Sequence, residues 1–102
     1  MSLGSLQQMA MLAVARLGDE AFAKVVQEEV EAATGRELAV STVYVTLVRL
    51  EDQGLVTSET TPPDPLRGGR GKRFFRLTPA GWSELRHTRE VMARLWDGVE
   101  PA

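Results

Sequence analysis

Ser41, Thr42, Thr46 and Arg49 fall within nine residues, with Tyr44 and Val45 among them. Short hydroxyl side chains near the start of a helix can approach base edges and phosphates, and an arginine two turns on can grip either. The helix N-terminus itself favours a phosphate through its backbone N–H groups. A second group of bases follows at Arg67, Arg70, Lys72, Arg73 and Arg76, with no acid between them. On a glycine-rich loop, Arg70, Lys72 and Arg73 are placed to follow a phosphate backbone or reach a minor groove, contacts that add salt-sensitive affinity without sequence information. Arg49 and these bases suggest roughly four phosphate contacts per protomer, hence a log–log salt slope of roughly −5 to −8 for a dimer. The bland alternative for the basic run is a solvated loop. Val45 and Val48 point outward with the hydroxyls, to meet a thymine methyl or to pack on another part of the protein.

Other chemistries find less support. The single histidine, His87, has Ser83 and Glu84 at helical spacing, but any surface helix supplies such neighbours, and no second motif converges on them. The run Arg67-Gly68-Gly69-Arg70-Gly71 is rich in glycine, yet it joins two strands and lacks the Gly-Lys-Ser/Thr element of a nucleotide-binding loop. No His/Cys/Asp/Glu spacing suits a metal, so no metal and no cofactor is expected, and no enzyme.

The elements that must position these residues belong to a small chain. Its 102 residues support one domain, and a core of that size gains from dimerisation. The net charge of −2 does not exclude a nucleic-acid partner, because the charge is segregated. Asp19, Glu20, Glu28, Glu29, Glu31 and Glu37 face only Lys24 and Arg36 between residues 19 and 37, whereas the bases gather further along. With no cysteine, disulfides and thiolate sites are excluded, and a reducing cytoplasm is the expected location. No apolar run spans a bilayer, and the first residues do not read as a signal peptide.

Residues 5–17 are apolar nearly all round, so this helix should be buried on several sides, with Ser5 as N-cap and Gly18 as stop. A second helix opens at Asp19 or Glu20 and ends at Gly35. Phe22, Val25, Val26, Val30 and Ala33 form its apolar stripe, while Lys24, Gln27, Glu28 and Glu31 form the outer face. The third helix covers residues 41–53, with Val40 at its entry and Gly54 as its left-handed stop; Val43, Leu47 and Leu50 make its core stripe. Residues 55–60 and 72–77 read as strands around a proline- and glycine-rich loop, with Phe75 and Leu77 alternating against Phe74 and Arg76. Thr78 and Pro79 then start a last helix that runs to about Asp97.

This order predicts a mainly α fold with a two-stranded β-wing. Residues 1–78 form a winged helix-turn-helix unit, and residues 79–102 a C-terminal dimerisation helix. In that helix Trp82, Leu85, Met92, Leu95 and Val99 approximate an a/d stripe with Trp96 alongside, and Leu6 and Met9 of the first helix are expected to join the dimer contact. A two-fold dimer would set two reading helices about 34 Å apart on a pseudo-palindromic site. Trp82 and Trp96 are candidates to flank a pocket for a flat aromatic ligand, against ordinary packing of indoles. A winged-helix protein-interaction module without DNA binding is the alternative, motivated by the overall acidity and by Val45 and Val48.

The run Val43-Tyr44, Leu47, Leu50-Glu51, Gly54-Leu55-Val56 closely resembles the signature helix of PadR-like transcriptional regulators. The segment GGRGKRFFRLTPAG at residues 68–81 is similar to that family's wing and the start of its last helix. The resemblance covers about residues 6–85. It implies a dimeric bacterial or archaeal regulator, usually a repressor, that binds operator DNA. It also implies, for some members, a response to phenolic acids or drugs through a cavity between the subunits. The short C-terminus resembles the compact subgroup with one dimerisation helix. The chain departs from the pattern at Ala21-Phe22, where many members carry Gly-Tyr, and at Val45, where proline or threonine is frequent.

Overall fold

The computed structural model of the protein describes residues 4–62 and 71–99. Helix α1 is Ser5–Leu17, α2 is Ala23–Thr34, and α3 is Val40–Asp52. Strands β1 (Val56–Thr60) and β2 (Arg73–Leu77) form an antiparallel hairpin, and α4 (Pro79–Trp96) closes the chain. The architecture is the expected one: helices with a two-stranded wing.

The ladder sets Val56 opposite Leu77, Ser58 opposite Phe75 and Thr60 opposite Arg73. Side chains alternate across a strand, so Arg73, Phe75 and Leu77 share one face. Phe75 is fully buried there, against the helices. The other edge of β2 is held as well. Phe74 bridges to Phe22, and the Phe75 N–H donates to the Ala21 carbonyl at 2.9 Å. Met11 and Val14 of α1, Val26 and Val30 of α2, and Val43, Leu47 and Leu50 of α3 complete one core with Leu55, Val56 and Leu85.

Several sequence expectations shift. Gly4, not Ser5, precedes α1 as N-cap, and its N–H is satisfied by the Gln7 side chain at 3.0 Å. The second helix opens at Ala23 because Gly18–Glu20 makes a short 3₁₀ turn, and Ala21 and Phe22 are taken by the contact with β2. Gln27 is buried, not outward-facing: its amide donates to the Leu38 carbonyl at 2.9 Å. Leu55 precedes β1 because its N–H closes the end of α3 on the Leu50 carbonyl. Lys72 likewise lies just before β2, although its carbonyl accepts from the Thr61 N–H at 2.8 Å. In α1, Leu12 remains half-exposed, so that helix has an open apolar flank within one chain.

The start of α4 is stitched to the α3–β1 turn. The Thr78 hydroxyl accepts from the Gly81 N–H at 3.0 Å, as the cap predicted, and donates to the Gly54 carbonyl at 2.7 Å. The Thr78 N–H reaches the Leu55 carbonyl at 3.1 Å. Gly81 is buried so close to that carbonyl that a Cβ would stand 2.1 Å from its oxygen. Only glycine permits this approach.

Candidate nucleic-acid interface

Helix α3 buries Val43, Leu47 and Leu50 completely, which turns the opposite side outward. Ser41, Thr42, Val45 and Arg49 are exposed on that side. Thr46 is half-buried, and its hydroxyl donates back to the Thr42 carbonyl at 2.8 Å, leaving its oxygen lone pairs as acceptors. The entry to α3 is fixed from α2. Gln27 holds the carbonyl of Leu38, and the Glu31 carboxylate accepts from the Leu38 N–H at 2.7 Å. Gln27 and Glu31 are one helical turn apart, so two neighbouring side chains pin both backbone groups of one residue just before the helix. No side chain caps α3 at Ala39.

Tyr44 lies on the flank of α3, 40% exposed, with its ring edge-to-face on Phe75 at 6.5 Å. Its hydroxyl oxygen accepts from Arg73 at 2.8 Å. The same guanidinium donates to the Ser58 hydroxyl at 3.0 Å and forms an ion pair with Glu51. Ser58 in turn donates to the other oxygen of Glu51 at 2.7 Å, closing a ring of contacts. The Ser58 hydrogen bond, with Arg73 beside it, holds the Glu51 carboxyl below the ordinary value of 4.5, against a smaller opposing effect of burial. Tyr44 first, then Glu51, raise the Arg73 guanidinium further above its already high value. The Arg73 charge, expected from the sequence to meet a phosphate, is engaged within the protein. Strand parity carried that signal, because Arg73 shares the inward face of Phe75 and Leu77. Glu51 and Ser58 were missed as partners. The spacing of seven between Tyr44 and Glu51, two helical turns, places them on one flank.

Lys72 remains exposed at the root of the loop, its ammonium 4.3 Å from the centroid of the Phe22 ring. Arg76 pairs with Asp19 at 2.9 Å on the exposed outer side of the hairpin. Arg67 and Arg70 lie outside the described residues. His87 is exposed on α4, and among the described residues no group of His, Cys, Asp or Glu is placed to hold a metal.

The expected dimer residues divide. Leu85 packs in this chain's own core together with Gly81 and keeps 8% of its surface exposed. Leu6 and Met9 pack partly against the same core. Trp82, Met92, Leu95, Trp96 and Val99 are exposed, and α4 has no fully buried residue after Leu85. Leu12, Trp82, Leu85, Met92 and Trp96 line an open groove of about 450 Å³ between α1 and α4. Trp82 and Trp96 are fourteen residues apart on one helix, roughly 21 Å by helical rise, and both line that groove. No helix among the described residues is long and apolar enough to cross a membrane.

Comparison with known proteins gives a consistent result. Residues 11–87 match the Transcriptional regulator PadR-like family. The transcriptional regulator Rv3488 of Mycobacterium tuberculosis is 39% identical over 61 residues, which cover 60% of this chain and 53% of that protein. The chain therefore aligns with about half the length of that relative. Among solved structures, a PadR family transcriptional regulator from Eggerthella lenta superposes with a TM-score of 0.69 at 27% identity, covering 90% of this chain and 78% of the other. A PadR-like transcription factor from Bacteroides fragilis reaches a TM-score of 0.75 at 24% identity, covering 92% and 85%.

Proposed function

The chain belongs to the PadR-like family of transcriptional regulators, and from that premise we propose that it is a cytoplasmic homodimer that recognises a pseudo-palindromic operator and represses transcription from it. The observation that carries this reading is the exposed strip of Ser41, Thr42, Val45 and Arg49 on α3, presented opposite a completely buried stripe. A groove-reading helix needs that division: a fixed inner face and an outer face of short polar groups, a methyl-bearing contact and a base. Thr46 adds an acceptor, and Tyr44 borders the strip. Lys72 at the wing, with Arg70 beyond it in the sequence, supplies phosphate contacts.

The second copy is the partner that suits the distal half of α4. Met92, Leu95, Trp96 and Val99 form an exposed apolar strip on one chain, and contiguous exposed apolar patches mark interaction sites. Packing it against Leu12 and the groove of a second chain would bury it and set the spacing of the two reading helices. An antiparallel crossing would bring Trp82 of one chain toward the partner's Trp96, and a flat aromatic effector would fit between them. In that arrangement residues 1–78 carry the DNA contacts and residues 79–102 the dimer helix, with Leu12 of α1 joining the dimer contact.

Fluorescence anisotropy with DNA from upstream of the chain's own gene tests the reading. Tight, salt-sensitive binding that weakens with Arg49→Ala is expected. No binding at low salt would overturn it. Titration with phenolic acids or planar drugs, followed by tryptophan emission, checks the effector; an unchanged signal with unchanged DNA affinity removes it.

A further inference from the structure

Arg73 joins three elements at one point. Its Nε donates to Ser58 of β1, one terminal nitrogen donates to Tyr44 of α3, and the other pairs with Glu51 of α3. It faces Thr60 in the last pair of the ladder, at the end of the hairpin from which the loop departs. The inner end of the hairpin is already fixed by the buried Phe75 and by Ala21. A two-stranded hairpin has little stiffness of its own, so its outer end needs a separate tie. We propose that Arg73 is a positioning residue that fastens the outer end of the wing to the reading helix, setting the angle between the two DNA-contacting elements without itself neutralising a phosphate.

Three features support this role, which rests on the DNA-binding reading. The guanidinium charge is already matched by Glu51, and both side chains are about one-quarter to one-third exposed, at 26% and 32%. A phosphate would have to displace a carboxylate that is also held by Ser58. The fork geometry uses donors in three directions toward three acceptors, which a lysine cannot reproduce. The guanidinium also lies 5.4 Å from the Phe75 ring centroid and 5.7 Å from that of Tyr44, wedged between wing and helix. Members of such a closed ring polarise one another, so loss of any one loosens the rest.

A lock and a phosphate contact differ in their salt dependence. Each neutralised phosphate contributes about −0.9 to the log–log slope. Lys72→Gln should therefore flatten the slope of a dimer by roughly 2. Arg73→Gln should leave the slope at its wild-type value while weakening binding about tenfold, as expected for a broken charged hydrogen-bond network. Ser58→Ala, which removes no charge, should also weaken binding. Circular dichroism establishes that each variant is folded. In the DNA-free protein labelled with ¹⁵N, the Arg73 Nε–H, which donates to Ser58, should give a slowly exchanging signal that is lost in Ser58→Ala. A slope flattened by Arg73→Gln as much as by Lys72→Gln would overturn the proposal, and so would Ser58→Ala binding as tightly as wild type. Wild-type protein that binds no DNA defeats the DNA-binding reading, whereas a fast-exchanging Nε–H defeats the lock alone.

Discussion

The buried amide of Gln27 donates to the carbonyl oxygen of Leu38 at 2.9 Å, tying the middle of α2 to the segment that leads into α3. Glu31 completes the grip on the Leu38 N–H. Helices α2 and α3 are thus joined by polar contacts at the turn and by Val26, Val30, Val43 and Leu47 beneath it. Gln27→Leu strands a carbonyl without its donor. A loss of about 1–3 kcal/mol in urea-melt stability is expected, together with faster exchange of the Leu38 amide. An unchanged melt would show that the turn holds without this bond.

Gly81→Ala tests the junction of α4 with the α3–β1 turn. In an open helix this change is worth up to about 1 kcal/mol of added stability. Here the new methyl would stand 2.1 Å from the Leu55 oxygen, which is backbone and cannot rotate away. A net loss of at least about 1–3 kcal/mol is expected in thermal denaturation. A rise in melting temperature would contradict the observed approach.

The lowered Glu51 carboxyl gives a pH dependence of known sign. A depressed folded-state value means that the contribution is present above the ordinary glutamate value of 4.5 and is lost as pH falls through the lower folded one. Wild type should therefore exceed Glu51→Gln in stability near neutrality by about 1 kcal/mol. The difference should shrink as pH drops below that range. Melts from pH 7 to pH 3 measure it, and a gap that widens on acidification would reverse the assignment.

Leu85 and Leu95 lie ten residues apart on α4 and should fail differently. Leu85→Ala opens the chain's own core and should cost about 2–4 kcal/mol in urea-melt stability. Leu95→Glu touches only the exposed distal strip. It should leave the fold intact and convert a dimer to a monomer in sedimentation, with a lower affinity for two-half-site DNA. A dimer that survives Leu95→Glu together with Trp96→Glu would place the interface elsewhere.

With Arg73 acting as the proposed tie and not as a phosphate contact, the expected count is about three per protomer, and the wild-type salt slope should be roughly −5. Replacing thymine by uracil across the operator removes only the methyl groups. A several-fold loss that disappears in Val45→Ala would identify Val45 as the side chain that meets them; an equal loss in both proteins would not.

The element order was readable along the chain because each element announces itself locally. Val43, Leu47 and Leu50 recur at helical spacing, Thr78-Pro79 opens a helix, and Phe75 and Leu77 alternate along a strand. The outer face of α3 followed from its buried stripe, since a helix with one fixed side has only one other to offer. What tertiary structure decided was which polar side chains spend their hydrogen bonds inside the protein. Gln27 reads as a surface residue in isolation, yet meets Leu38 eleven residues away. Arg73 carries the same charge as Lys72, but the fold turns one toward Tyr44 and Glu51 and sets the other, still exposed, over the Phe22 ring. Leu85 and Leu95 belong to one apolar pattern, and only the length of α4 beyond the core separates them. Periodicity records which way a side chain points along its own element; it carries no record of what another element places there. So the sequence of α3 determined a helix with one buried and one exposed face, and the fold determined that Arg73 is tied to it.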